Sequence, residues 1–266
     1  PMKQTQYYAD ARDKALEIIT DGGYKLVDHY EDLWKEATKS DDTEHIFALN
    51  HSNTNYSNYG KSYFTADEEG GWGDYLADSC FYERYPNDER KKFNFVTEFQ
   101  PGGVGRKINF KKTVMRSPAI NKYRDYGGVS SPQSLGITPI YRYADVYLSL
   151  AEALVMKPEA TSKDYTEALG YVNTIRERAK LKALKLEDVN TQEKFIDQIL
   201  TERSHEFWCE NGQYRADLIR HDKFVQRAID VTQTPYANKY KELYPLPLSV
   251  ITDGKGQVKQ NPGYDK

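Results

Sequence analysis

The residues best suited to meet a ligand lie between Asn50 and Tyr85. Four asparagines (Asn50, Asn53, Asn55, Asn58) mix there with Tyr56, Tyr59, Tyr63, Tyr75, Tyr82 and Tyr85, and Trp72 stands among Gly70, Gly71 and Gly73. Sugars present apolar C–H faces that stack on aromatic rings, and hydroxyls that pair with amides and carboxylates. Exposed Tyr and Trp interleaved with Asn and Asp suit that chemistry. Trp72, with glycines on both sides, has little local reason to enter a core. The expected ligand-binding residues are therefore Trp72, Tyr56, Tyr59, Tyr75, Asn53 and Asn55. The competing reading of this stretch is that its tyrosines pin loops onto helices.

Other candidate motifs carry less. Gly102-Gly103-Val104-Gly105-Arg106-Lys107 lacks the spacing of a phosphate loop and reads as a turn cluster. His205-Glu206-Phe207-Trp208-Cys209 falls one residue type short of a zinc-protease helix and has no third ligand, so no metal, catalytic residue or cofactor is expected. A glycosidase would need two carboxylates across a cleft. Of the abundant acids, Glu202, Glu206 and Glu210 fall on one helix face beside Arg203. Asp145, Glu152, Arg142, Arg176, Asp217 and Arg220 take similar inward positions. An ion-pair network that sets helix register is the expected role of this group.

Composition narrows the classes further. Of 266 residues 22 are tyrosine, and 37 basic residues against 40 acidic leave a net charge of −3, with no basic field for nucleic acid. No apolar run is long enough to span a bilayer. Cys80 and Cys209 are too few for a disulfide framework or a zinc site, while a bridge between the two stays open. No signal peptide opens the chain, which starts at Pro1, so it is either cytosolic or a piece of a longer protein.

The elements that must position these residues are mostly helical. Gln4 to Thr20 carries Tyr8, Ala11, Ala15 and Ile18 at helical spacing and stops at Asp21-Gly22-Gly23. Tyr30, Leu33, Trp34 and Ala37 suggest a short amphipathic turn, and His45 to Asn50 a strand. Asn50 to Tyr85 and Gln100 to Pro139 hold no period. Helices are expected again from Pro139, then over Asp164 to Leu181, which together form a tetratricopeptide-type hairpin. A third is expected over Gln192 to Asn211 with Thr191 as N-cap, then a broken one over Tyr214 to Ile229 and an extended, proline-pinned tail. The first helix has nothing before it to cover its apolar face, so the sequence reads as the C-terminal portion of a longer protein.

These helices carry a resemblance. Arg142-Tyr143-Ala144-Asp145-Val146-Tyr147-Leu148 followed by Ala151-Glu152-Ala153 resembles the RYADVLLMYAEA signature of SusD/RagB-family outer-membrane lipoproteins. Ala168-Leu169, Val172-Asn173-Thr174-Ile175-Arg176-Glu177-Arg178-Ala179, Glu202-Arg203-Ser204-His205-Glu206-Phe207, Gly212 to Arg220, Tyr244-Pro245-Leu246-Pro247 and Gln260-Asn261-Pro262-Gly263-Tyr264 resemble later motifs of that family in the same order. Ala9 to Leu26 resembles its helix ending in GGY. Tyr214-Arg215, His221 and Asp253 to Val258 depart from the pattern.

The resemblance implies a mainly α, SusD-like fold of tetratricopeptide-type hairpins with long irregular loops. Within one such domain, 1–49 would end the helical-repeat region, 50–139 form a variable ligand region, and 140–266 hold the signature helices and tail. It further implies a non-enzymatic nutrient-uptake lipoprotein on the extracellular face of the outer membrane. Such a protein binds oligosaccharides or polysaccharides and delivers them to a SusC-like TonB-dependent transporter, held by a lipid anchor outside this sequence. Arg142, Asp145, Glu152, Arg203 and Glu206 would be fold residues. Peptide- or protein-binding RagB-like scaffolds and a glycoside hydrolase are the rival readings.

Overall fold

A computed structural model describes residues 7–38, 43–51, 63–101, 104–124, 136–210 and 212–264. They form two compact units, one of residues 3–214 and one that comprises Arg215–Lys266.

The larger unit is organised around α4 (Tyr143–Met156), which follows α1 (Tyr7–Asp21), α2 (Ser79–Arg84) and α3 (Glu89–Asn94). α4 is apolar nearly all round, and Ala144, Leu148, Leu150, Ala151, Leu154 and Val155 are fully buried. A helix with that composition belongs inside. It packs against α1, α5 (Ser162–Arg178) and α6 (Gln192–Glu206). α4 and α5 are the expected helical hairpin. Thr161 caps α5 reciprocally with Asp164, and α5 ends where Lys180 turns to φ +62°. α6 buries Phe195, Ile196, Ile199, Leu200 and Arg203 along one face, with Phe207 buried just beyond its end. α1 stops at Asp21 as its glycines require, with Gly23 at φ +71°. The partner that α1 was expected to lack is in part supplied by α4, although Ala15 is its only fully buried residue among those described.

Strands tie the loops down in antiparallel pairs. β1 (His45–Asn50) pairs with β6 (Ile137–Arg142), setting Phe47 opposite Tyr141. β2 (Phe95–Val96) pairs with β5 (Ala119–Ile120), and β3 (Glu98–Phe99) with β4 (Ile108–Asn109). The helix expected from Pro139 begins only at Tyr143, because proline holds its predecessor extended and the stretch before α4 is β6.

In the second unit, a left-handed Asp222 (φ +58°) breaks the expected helix into α7 (Gln213–Arg220) and α8 (Phe224–Thr232). The tail is not wholly extended: Pro247 starts α9 (Leu248–Asp253), its fixed φ suiting a helix entry. Arg215 stacks over Tyr244 at 4.1 Å, and Arg220 pairs with Asp217 at 2.9 Å. No helix among the described residues is long and apolar enough to cross a membrane.

Candidate functional site

Two constellations stand out in the larger unit, one buried and one exposed. The buried one joins the guanidinium groups of Arg90, Arg142, Arg176 and Arg178 and the Lys122 ammonium to Glu44, Asp88, Glu202, Glu206 and Glu210. Among the described residues five cations meet five anions in one connected network, so their charges balance. Arg142 lies 2.6 Å from Glu44, 2.9 Å from Glu206 and 2.9 Å from Glu210. Arg90 reaches Glu202 at 2.7 Å and Lys122 reaches Glu210 at 2.7 Å. Burial opposes charge on Glu206, but Arg178, Arg142 and Arg90 override it and hold the carboxyl well below the usual carboxylate range. Burial lowers the Lys122 ammonium, whose charge also lies over the Trp34 ring at 4.5 Å.

This network explains where α6 ends. The helix expected to run to Asn211 stops at Glu206, and Cys209 adopts φ +60°. Carbonyls at this early stop and in the turn beyond it take donors from other segments. Arg142 donates to the Glu206 carbonyl at 3.0 Å, Lys122 to that of Trp208 at 2.6 Å, and the Tyr123 hydroxyl to that of Cys209 at 3.0 Å. Glu210 thus joins the cluster from the turn beyond the helix, while Arg203 faces Asp145 at 2.7 Å. Of the expected network, Glu202, Glu206, Glu210, Arg142 and Arg176 meet here, whereas Arg203 pairs with Asp145 and Arg220 with Asp217. Arg178 was expected only as a motif residue, and Arg90, Lys122, Glu44 and Asp88 were not singled out. No sequence spacing links these last four to α6, because they come from three separate segments: Glu44 before β1, Asp88 and Arg90 at the start of α3, and Lys122 after β5. Cys80 and Cys209 are both free thiols, and burial pushes that of Cys209 up to about 11.

The exposed constellation is an aromatic shelf. After Tyr63 the chain makes a 3-10 turn (Asp67–Glu69) and folds back on itself. The Gly71 amide donates to the Ala66 carbonyl at 3.1 Å, that of Gly73 to Thr65 at 3.0 Å, and that of Tyr75 to Tyr63 at 3.1 Å. A Cβ at Gly71 would lie 2.2 Å from the Thr65 carbonyl oxygen, and Gly73 has φ +61°, so both glycines are required. Arg124 clamps the turn through Glu69 at 3.0 Å.

This doubling-back sets Trp72 edge-on to Tyr63 at 5.1 Å between ring centroids, and Tyr63 against Tyr75 at 6.0 Å. All three rings are open to solvent: Trp72 51%, Tyr75 60% and Tyr63 36%. Behind them the rings of Phe64, Tyr123 and Trp34 continue the contact into the core, at 6.0 Å from Tyr75 to Phe64, 5.7 Å from Phe64 to Tyr123 and 5.4 Å from Tyr123 to Trp34. Trp72 and Tyr75 are thus brought together, while Tyr56, Tyr59, Asn53 and Asn55 lie outside the described residues. Tyr63 was noted but not selected. The signal for it was the glycine-bounded reversal, which returns Tyr75 to its side. Among the described residues no group of three or more His, Cys, Asp or Glu is placed to hold a metal ion.

Residues 111–264, more than half of the chain, match the model of the SusD family, SusD_RagB, and the chain belongs to that family. Starch-binding protein SusD of Bacteroides thetaiotaomicron is 28% identical over 158 residues, which are 55% of this chain and 26% of that protein. SusD-like protein P2 of Formosa agariphila is 28% identical over 167 residues, 58% of this chain and 32% of that protein. The solved structure of surface glycan-binding protein A from Bacteroides thetaiotaomicron superposes with a TM-score of 0.74 at 23% identity, covering 97% of this chain and 60% of that one. The same protein in complex with laminarihexaose gives 0.70 at 23% identity, covering 97% and 60%. The chain thus spans less than two thirds of each of these proteins, and the structural likeness establishes the SusD fold.

Proposed function

We propose that this chain binds oligosaccharides or polysaccharides on the shelf of Trp72, Tyr63 and Tyr75, extended by Tyr56, Tyr59, Asn53 and Asn55. It acts at the extracellular face of the outer membrane, where it delivers its ligand to a SusC-like TonB-dependent transporter and cleaves nothing. The observation that carries the reading is the shelf itself: three exposed rings whose backbone is braced before any ligand arrives. Starch in the name of one relative and laminarihexaose in the complex of another support a glycan as ligand. Asp88, Glu202, Glu206 and Glu210 are held by cations away from solvent, which takes these four carboxylates out of reach of a ligand.

Two or three stacked rings at about 0.5 to 1.5 kcal/mol each, with a few hydrogen bonds of about 1 kcal/mol, give a weak site. Weak single-site binding suits a protein that must release its ligand onward, and long polymers gain from multivalency. Affinity electrophoresis through gels containing a panel of polysaccharides tests the reading. Retardation by one glycan, reduced about two- to tenfold in apparent affinity by Trp72→Ala and without release of reducing ends, is the expected result. Retardation unchanged in that variant would remove the shelf from the site. Retardation by no glycan, with binding of peptides instead, would overturn the glycan reading.

A further inference from the structure

Residues 99–124 contain seven basic side chains and no acidic one, in a chain whose net charge is −3. Two of the seven work inside the fold, Lys122 in the buried network and Arg124 on Glu69. The other five, Arg106, Lys107, Lys111, Lys112 and Arg116, are exposed. Between the last two the chain makes a tight turn with Val114 and Met115 at its tip. Val114 is 94% exposed and Met115 67%, the reverse of what two adjacent apolar side chains favour in water.

The turn is held in that shape. Thr113 is buried, and its hydroxyl donates to the Phe110 carbonyl at 2.7 Å while accepting from the Arg116 amide at 3.2 Å. Arg116 takes a left-handed φ of +51°, a conformation that a side-chain-bearing residue keeps only where its surroundings enforce it. Phe110, just before the turn, is fixed in an apolar cluster with Phe99, Ala119 and Ala66. Lys111 is paired with Glu83 at 2.6 Å, whereas Lys112 and Arg116 form no ion pair among the described residues.

We propose that the Val114–Met115 turn docks the protein on an anionic lipid bilayer. The two apolar side chains enter the boundary between headgroups and acyl chains, and Lys112 and Arg116 meet lipid phosphates. Charge complementarity selects this occupant, because Lys112 and Arg116 flank the apolar tip and neither is paired with an acid among the described residues. A stable protein interface needs roughly 800 Å² from each partner, far more than a two-residue tip presents, whereas a shallow lipid insertion needs only apolar atoms at the tip and cations around it. The docking is independent of the glycan shelf.

Co-sedimentation of this chain with vesicles tests the proposal, using phosphatidylcholine alone and phosphatidylcholine mixed equally with phosphatidylglycerol. The protein is expected to pellet with the mixed vesicles and not with the neutral ones. The pair Val114→Asp and Met115→Asp should lower partitioning at least about tenfold. The pair Lys112→Ala and Arg116→Ala should lower it about fivefold for each cation removed, and Trp72→Ala should leave it unchanged. All four turn positions are exposed, so an unaltered circular dichroism spectrum and melting temperature certify that the variants fold. Failure of the wild type to bind mixed vesicles, equal binding to neutral ones, or wild-type binding by both double variants would overturn the proposal.

Discussion

Three guanidinium groups, those of Arg90, Arg142 and Arg178, converge on the carboxylate of Glu206, which has no access to solvent. Replacing it by glutamine keeps the shape but leaves the neighbouring cations without their shared anion. Breaking a buried pair in this way costs about 3 to 5 kcal/mol, so Glu206→Gln should sharply lower the urea midpoint or fail to fold. A midpoint within experimental error of the wild type would show that the cluster adds nothing to stability. Gly71 makes the complementary case on the surface, since alanine there would drive a methyl into the Thr65 carbonyl. Gly71→Ala should cost roughly 1 to 3 kcal/mol and reduce glycan retardation as Trp72→Ala does. Full retardation by a folded Gly71→Ala protein would mean that the doubled-back loop does not shape the site. The glycines and the exposed tryptophan were legible in the sequence because residue type alone demanded an unusual backbone. Arg90 and Lys122 were not, because a surface cation and a buried one look alike until the fold brings acids to them.

At the scale of elements, α5 shows how a local signal becomes stability. Burial pushes the Asp164 carboxyl up, but the Lys157 ammonium at 2.6 Å and the Thr161 amide and hydroxyl pull it down to about 2. Its unfolded value is about 3.9, so the folded protein holds the proton more weakly than the unfolded chain. The resulting stabilisation is complete above about pH 4 and is lost as pH falls towards 2. Asp164→Asn should therefore cost about 1 to 2 kcal/mol at neutral pH, and the deficit should vanish in urea melts near pH 2. A deficit that is the same at both pH values would rule out the titration as its cause. Capping chemistry of this kind is written in adjacent residues, which is why the start of α6 after Thr191 was legible. The α4–α5 hairpin was legible from its apolar period instead, and the helix expected from Asp164 starts at Ser162 because Thr161 caps it. Where α6 ends was not: Glu206 to Glu210 have helical composition, and only the donors arriving from Arg142, Lys122 and Tyr123 make the early stop favourable. β6 was missed for a related reason, since its pairing partner β1 lies nearly a hundred residues earlier.

For the whole molecule, burial is divided unevenly along the chain. The larger unit contains the buried network and the apolar interior of α4, α5 and α6, whereas no described residue from Ile219 to Tyr264 is fully buried. The sequence hid this contrast, because the tail carries family motifs as recognisable as those of the signature helices, and motif strength says nothing about local burial. Segments with few buried apolar contacts open at the lowest free energy, often far below that of global unfolding. Opening exposes backbone to proteases, and cleavage of a transiently open segment follows the population of its open form when reclosing is fast. Brief thermolysin digestion under native conditions should therefore cut first between Ile219 and Tyr264, leaving a product that retains α1 to α6. That product should still be retarded by whichever glycan the intact chain recognises, since Trp72, Tyr63 and Tyr75 all lie in the larger unit. First cuts within α4 or α6 would instead place the weakest point of the protein in its best-packed helices, and local burial would then be no guide to how this molecule opens.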